Sequence, residues 1–214
     1  MCIRDSSNLE VFPKDIGKRQ LLGAMRDFST ALGVKCTFCH VQKVPGDFDS
    51  IDWASDQLEN KQVSRGMMTM TRNINSELLP GATGAPGGRV RCITCHRGLE
   101  DPRTLNEVLL DTIEKNGVDV GVARYRELAD EYYGTGSYDF SPSTLTGVAE
   151  VLAQSRGDMD GAVADLDELV RRFPDYAPGH YALARACTAG GEGDRAAAHM
   201  RQFQELSEAL QRSG

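Results

Sequence analysis

The chain has few cysteines, few histidines, one tryptophan and no long apolar run. Its 214 residues include six Cys, four His and one Trp, and 40% of them are hydrophobic. No stretch approaches the roughly 20 apolar residues of a membrane helix. An excess of basic residues is also missing, because the formal net charge is −7. These shortages argue against nucleic acid and anionic membrane surfaces as partners, and they leave a globular protein of one large or two small domains.

The beginning of the chain lacks a recognisable secretion signal. Residues 1–7 contain no apolar core and no small-residue cleavage site. We therefore expect that the true leader is missing from this sequence, and that any membrane attachment would require such an upstream segment. Cys2 is not interpreted as a lipid-attachment residue, because no hydrophobic stretch precedes it.

The distribution of the cysteines does not indicate a disulfide framework. Four of them form two copies of one pattern, Cys36-Thr37-Phe38-Cys39-His40 and Cys92-Ile93-Thr94-Cys95-His96, which leaves Cys2 and Cys187 far apart. Cys-x-x-Cys-His is the attachment signature of c-type haem. The two thiols add to the vinyl groups of the porphyrin, and the adjacent His binds the iron. The sequence therefore predicts two covalently bound haem c groups, held by Cys36, Cys39, Cys92 and Cys95, with His40 and His96 as iron ligands.

An amphipathic helix is predicted before each motif. The first has apolar residues at helical spacing from Leu21 to Leu32, an N-cap at Asp15 and a C-terminal Gly33. The second is expected from about Gln62 to Leu79, where Pro80-Gly81 would end it. Its predicted apolar face consists of Val63, Met67, Met70, Ile74 and Leu78. Residues 41–60 are predicted to form a loop, in which Trp53 either covers a haem edge or packs over a small core.

Each predicted haem needs a sixth iron ligand or an open site. Met25, Met67 and Met70 lie on the apolar faces of the two helices, and beside haem motifs they are better candidates than core methionines. A thioether opposite His raises the reduction potential, which suits electron transfer. His180 and His199 lie among helical repeats, where satisfied or solvent-facing histidines are expected.

The composition changes after Pro102, and helical periodicity then continues to the end of the chain. Residues 157–162 align with residues 191–196 at an offset of 34 residues, which is the tetratricopeptide period. Small residues occur where such repeats need them, at Ala162, Ala184 and Ala196, and residues 104–133 resemble a degenerate first repeat. We predict a mainly α fold, in which a loop-rich dihaem cytochrome c domain (residues 8–102) precedes a short α-helical tetratricopeptide-like solenoid (residues 103–213).

Residues 8 to 100 contain segments that resemble the cytochrome subunit of photosynthetic reaction centres. They include Asn8-Leu9-Glu10-Val11-Phe12-Pro13, residues 22–28 and 31–41, residues 65–75 with Thr71-Arg72-Asn73-Ile74-Asn75, and residues 92–98. In that family a Met on the preceding helix ligates most haems. The resemblance implies Met25 as the ligand of the first haem and Met67 as the ligand of the second, with Met70 as the reserve. The family's subunit carries four haems and no repeat region, so this chain resembles one half and photosynthesis is not implied.

These observations favour a dihaem electron carrier over an enzyme. Haem attachment normally occurs outside the cytoplasmic membrane, so we expect a periplasmic or extracytoplasmic location. Redox proteins are the expected partners, and the helical repeats are expected to dock one of them. One alternative is a peroxidase-like dihaem redox enzyme, which needs an open iron site with polar distal groups. Another is a zinc scaffold in which the four motif cysteines bind one ion.

Overall fold

The structure, a computed structural model, describes residues 7–84, 89–155 and 157–213. Helices dominate these residues, and the strands among them are two antiparallel two-residue segments, β1 (Val41–Gln42) and β2 (Ile51–Asp52). The predicted mainly α fold is therefore confirmed. The chain divides into two compact units, Met1–Pro102 and Arg103–Gly214.

Among its described residues, the first unit contains two long helices and two short ones. They are α1 (Lys18–Leu32), α2 (Glu59–Asn73), α3 (Leu79–Thr83) and α4 (Cys92–His96). A π-helical turn, Ile74–Leu78, joins α2 to α3, and 3-10 turns occur at Cys36–Phe38 and Phe48–Ser50. Each Cys-x-x-Cys-His motif therefore starts in a single helical turn, the first of 3-10 type and the second α4 itself.

The end of α1 is close to the residues that follow the second motif. The helix begins after Gly17, not after the predicted Asp15, and it ends at Leu32 as predicted. Gly33 has a φ of 70°, and a side chain at this position would collide with the carbonyl oxygen of Gly98. The Gly98 N–H donates to the Ala31 carbonyl at 2.8 Å. Glycine is therefore required at position 33 by both conformation and space.

The prediction that Pro80-Gly81 ends the second helix is wrong. Pro80 lies in the first turn of α3, where its missing N–H and fixed φ are tolerated, because the π-helical turn has already shifted the hydrogen-bond register. The helix ends at Gly84, which has a φ of 65°.

The second unit consists of three helix pairs in chain order. They are α5 (Leu105–Asn116) with α6 (Val118–Tyr132), α7 (Pro142–Glu150) with α8 (Met159–Arg172), and α9 (Ala177–Ala189) with α10 (Gly193–Ser213), and a π-helical turn, Val151–Ser155, extends α7. The members of each pair contact each other. In addition, α5 contacts α7, α7 contacts α9 and α6 contacts α8. Successive pairs therefore stack on one another, as repeats do.

The small residues predicted at packing positions are buried in this unit. Ala162, Ala184 and Ala196 have at most 8% of their surface exposed. The start of α5 is fixed by a capping box, in which the Thr104 N–H donates to the Glu107 carboxylate at 2.7 Å and the Glu107 N–H donates to the Thr104 hydroxyl at 3.3 Å. Local capping and small-residue packing thus explain why these segments form paired helices.

Leu183→Ala is expected to lower the free energy of unfolding of the second unit by about 2–5 kcal/mol. Leu183 has no exposed surface and belongs to the apolar core of this unit, so the truncation leaves a cavity. Leu210→Ala removes the same atoms from a side chain that is 65% exposed, and it serves as the matched control. Urea unfolding followed by far-UV circular dichroism measures both, and equal losses in the two variants would contradict this assignment of the core.

Candidate haem sites

A cavity of about 600 Å³ lies in the first unit beside the first motif. Its lining includes Met25, Cys36, Cys39 and His40, the four residues predicted to hold the first haem. Most of the remaining wall is apolar and comprises Leu9, Val11, Phe12, Leu21, Leu22, Phe28, Leu32, Val34, Phe48, Trp53 and Met68. A mostly apolar cavity with a few converging polar groups, in this size range, is typical of a cofactor site.

The 3-10 turn of the first motif brings its three functional side chains together. The N–H groups of Cys39 and His40 donate to the Cys36 carbonyl at 3.3 and 3.1 Å. The Cys39 sulfur also lies 3.5 Å from the hydroxyl oxygen of Ser64 on α2. Cys36 and Cys39 are both unbridged, so their thiols are available for thioether bonds.

The surroundings of His40 favour the neutral imidazole that an iron ligand needs. Burial lowers its pKa, and the positive charge of Lys61 acts in the same direction. The buried Nδ1 of His40 has no hydrogen-bond partner among the described residues. Trp53 packs edge to face on the imidazole, with the ring centroids 5.0 Å apart, and it also lines the cavity. A neutral imidazole at a cofactor-sized cavity fits an axial haem ligand.

Two cations near the start of α2 fix the loop around this cavity. The buried Lys61 donates to the three carbonyls of residues 53–55 at 3.0, 2.9 and 2.8 Å. Lys61 and Arg65 also contact the Asp56 carboxylate at 3.0 and 3.1 Å. Hydrogen bonds from Asn8, Arg65 and Lys61 hold the pKa of Asp56 well below its usual value. Sequence reasoning missed these residues, because lone cations on an amphipathic helix are usually solvated.

The second motif forms α4, which packs against α1. Cys92 lines a second cavity of about 720 Å³, while Cys95 is exposed. His96 Nδ1 lies 2.9 Å from the Leu99 carbonyl oxygen. Since a carbonyl only accepts hydrogen bonds, Nδ1 donates in this contact, and Nε2 is the ring nitrogen left to bind iron. A backbone partner of this kind is the usual orienting contact of a metal-binding histidine.

Met67 and Met70 line neither of these cavities. Their side chains are 41% and 49% exposed, and Val63 and Leu78 of the same predicted apolar face are also exposed. Most of the predicted apolar face is therefore exposed in the described structure. Lys61 and Arg65 lie on the buried side of α2 instead, because their cationic groups bind backbone carbonyls and the Asp56 carboxylate. The assignment of Met67 to the second haem, with Met70 in reserve, stays a prediction.

Met68 was not recognised in the sequence and lies between the two cavities. Together with Phe12 and Phe28 it lines both of them. The two Phe rings are stacked with their centroids 6.3 Å apart. Met68 differs from Met67 and Met70 only in lying on the side of α2 that meets the cavities, and helical spacing alone did not reveal which side that is.

The motif cysteines do not converge on one metal site. In the described ranges, no group of three or more His, Cys, Asp or Glu lies close enough to hold a metal ion. A four-thiolate zinc site needs all four sulfurs around one ion. Cys36 and Cys39 instead line one cavity and Cys92 lines another. The two motifs therefore lie at separate cavities in the described residues.

The other described cysteine and the other two histidines lie in the second unit. Cys187 is fully buried and unpaired, and Cys2 lies outside the described residues. His180 Nε2 donates to the Pro174 carbonyl at 2.9 Å, and its Nδ1 lies 3.1 Å from Nδ1 of His199. The expectation of satisfied histidines is confirmed for this pair.

Acidification is expected to destabilise the packing of α9 on α10. The pKa of His199 is lowered from 6.5 by burial and then by His180, with Arg195 lowering it further and Asp167 raising it. The folded state disfavours the protonated imidazolium form of His199. The contribution of this histidine to the free energy of unfolding is therefore complete above about pH 6.5 and is lost as the pH falls below that value. Urea midpoints between about pH 7.5 and 5.5 measure this loss. His199→Gln should remove this histidine's part of the pH dependence, and an unchanged slope would contradict the assignment.

A helical unit with two Cys-x-x-Cys-His motifs, whose cysteines are unbridged, has the features of a c-type cytochrome, which implies covalently bound haem c. The chain is similar to a particular family of c-type cytochromes, described as "Photosynthetic reaction centre cytochrome C subunit", whose model matches residues 45–144. The match includes α2 and the second motif, and it extends into α5 and α6.

Two curated relatives support this relationship. Cytochrome c-554 of Chloroflexus aurantiacus is 34% identical over 68 residues, which cover 32% of this chain and 14% of the relative. The photosynthetic reaction center cytochrome c subunit of Thermochromatium tepidum is 37% identical over 98 residues, which cover 45% of this chain and 21% of the relative. The chain thus matches about a seventh and a fifth of these proteins' lengths. No solved structure matches it significantly.

A search for membrane-spanning segments among the described helices finds none that is both long and apolar enough to cross a bilayer.

Proposed function

We propose that this chain carries electrons between redox proteins through two covalently bound haem c groups. The first haem is held by Cys36 and Cys39, with His40 and Met25 as iron ligands. The second is held by Cys92 and Cys95, with His96 and Met67 as ligands and Met70 in reserve. The observation that supports the proposal most strongly is the single cavity lined by Met25, Cys36, Cys39 and His40.

The residues of the chain would adapt each haem to electron transfer. Haem supplies a one-electron iron couple when it is bound. His40 and Met25 would hold the iron of the first haem and His96 and Met67 that of the second, so no position would be left for a substrate. The apolar lining keeps water from the first site and, with the Met ligand, favours the reduced state. The relationship to reaction-centre cytochrome subunits supports electron transfer over catalysis.

The second unit is proposed to dock a protein partner. Stacked helix pairs form extended surfaces that commonly bind other proteins, and the three pairs here contact one another in chain order. The 34-residue offset supports a tetratricopeptide-like solenoid. Because haem c is attached outside the cytoplasmic membrane, we place the mature protein in the periplasm or another extracytoplasmic compartment.

Mass spectrometry of protein made in a host with haem-maturation machinery tests this function. The denatured chain should be heavier than its sequence by two haem groups, and its optical spectrum should be low-spin. A high-spin fraction that binds small ligands would favour the peroxidase-like redox enzyme. Haem-free protein from such a host would refute the proposal.

A further inference from the structure

The helix α2 and its π-helical extension carry an asparagine beside each haem motif. We infer that Asn60 and Asn75 are positioning residues, each of which fixes the backbone of one motif and thereby the ligand geometry of one haem. The inference rests on the proposed function, since it assigns residues that orient the two sites. It explains how one element can hold two sites that lie far apart in the chain.

Asn75 binds the segment that leads into the second motif. Its Nδ2 donates to the Val90 carbonyl at 2.8 Å, and the Val90 N–H donates to its Oδ1 at 2.7 Å. The Asn75 side-chain amide therefore donates one hydrogen bond to the Val90 backbone and accepts another from it. A residue of a paired β-strand makes the same two bonds through its backbone. Val90 lies two residues before Cys92, and the intervening Arg91 N–H donates to the Thr94 hydroxyl of α4 at 3.0 Å. Hydrogen bonds therefore fix the backbone at Val90 and Arg91, directly before the second motif.

Asn60 binds inside the first motif. Its Nδ2 donates to the carbonyl of Phe38, which lies between the two motif cysteines, at 3.2 Å. The Cys39 thiol lies 3.8 Å from the Asn60 carbonyl oxygen, on the same side of α2 as Ser64. The first turn of α2 therefore contacts the backbone that sets the spacing of Cys36 and Cys39.

The same helix also fixes the segment at residues 8–12, which lines the first cavity. Arg65 and Arg72 donate to the carbonyls of Asn8 and Val11 at 3.2 and 2.9 Å. Asn60 and Asn75 lie on one continuous helical element, about four turns apart. Because a helix is stiff over this length, the hydrogen bonds at its two ends fix the positions of both motifs relative to the same helix. Such outer contacts tune a metal site by orienting its ligands.

The test compares the reduction potentials of the two haems in Asn75→Ala, Asn60→Ala and a matched control. Asn73→Ala is the control, because Asn73 is exposed on α2 and its side chain makes no hydrogen bond in the described structure. The variant with both Cys36 and Cys39 changed to Ser retains only the second haem and assigns its potential. We expect Asn75→Ala to shift the potential of the second haem alone, Asn60→Ala that of the first alone, and Asn73→Ala neither.

Hydrogen exchange at the Val90 amide gives a readout that does not depend on haem. Asn75→Ala should accelerate it about tenfold, the equivalent of one hydrogen bond, whereas Asn75→Asp keeps the accepting oxygen and should retain protection. Potentials that shift together in either alanine variant, or an unchanged Val90 exchange rate, would overturn the inference. If either of these results occurs while the spectra still show two haems, only the inference fails and the proposed function stands. If the unmodified protein carries no haem, the proposed function itself is refuted.

Discussion

Replacing Cys36 and Cys39 together with serine is expected to reduce covalently bound haem from two groups per chain to one. The two thiols form the only covalent link that the proposal gives the first haem, and serine cannot form a thioether. The second motif is in a separate helix and lines a different cavity, so its haem should remain. Mass spectrometry of the denatured chain and the haem absorbance per chain both measure the change.

Cys187→Ser is the matched control for this experiment. It also removes a thiol, but Cys187 is buried in the second unit, which contains neither motif. Its haem content should therefore equal that of the unmodified protein. Unchanged haem in the double serine variant, or equal losses in the variant and the control, would show that Cys36 and Cys39 are not an attachment site.

Met25→Leu is expected to remove the sixth ligand of the first iron. Leucine keeps the apolar volume on α1 but has no sulfur lone pair, so the iron becomes five-coordinate and high-spin. About half of the near-infrared Met–iron absorption should disappear, and the potential of the first haem should fall because the thioether no longer favours the reduced state. Near-infrared spectra and electron paramagnetic resonance of the oxidised protein measure these effects.

The neighbouring methionines of α2 test the second site in the same way. Met67→Leu should remove the other half of the near-infrared absorption, and Met70→Leu should leave it unchanged. Both side chains are similarly exposed, so a general effect on folding would be the same in the two variants. Loss of the band in Met70→Leu alone would transfer the assignment to Met70. A full band in all three leucine variants would contradict methionine ligation.

The first site was predictable because its determinants are local in the chain. Met25 lies on a helix that ends at a glycine, and the motif begins three residues later. Short connections of this kind leave the backbone few alternatives. Helical spacing therefore indicated which face of α1 meets the cavity, and the structure places Met25 in the same cavity as Cys36, Cys39 and His40.

The surroundings of α2 were not predictable, because they depend on partners distant in sequence. Asn75 pairs with Val90, and Arg72 contacts Val11 at the other end of the unit. Nothing in the spacing of these polar residues distinguishes them from a solvated face. The apolar periodicity placed Met67 and Met70 on one face of α2, and it did not indicate that Lys61 is buried, where its ammonium donates to the carbonyls of residues 53–55.

A redox titration followed by visible and near-infrared spectra is the most direct measurement of the central proposal. The account predicts two one-electron transitions per chain, both low-spin, with near-infrared absorption that disappears on reduction in proportion to the two haems. A single transition per chain, or spectra that show no methionine–iron band in the oxidised protein, would contradict a dihaem carrier with His/Met ligation at both irons.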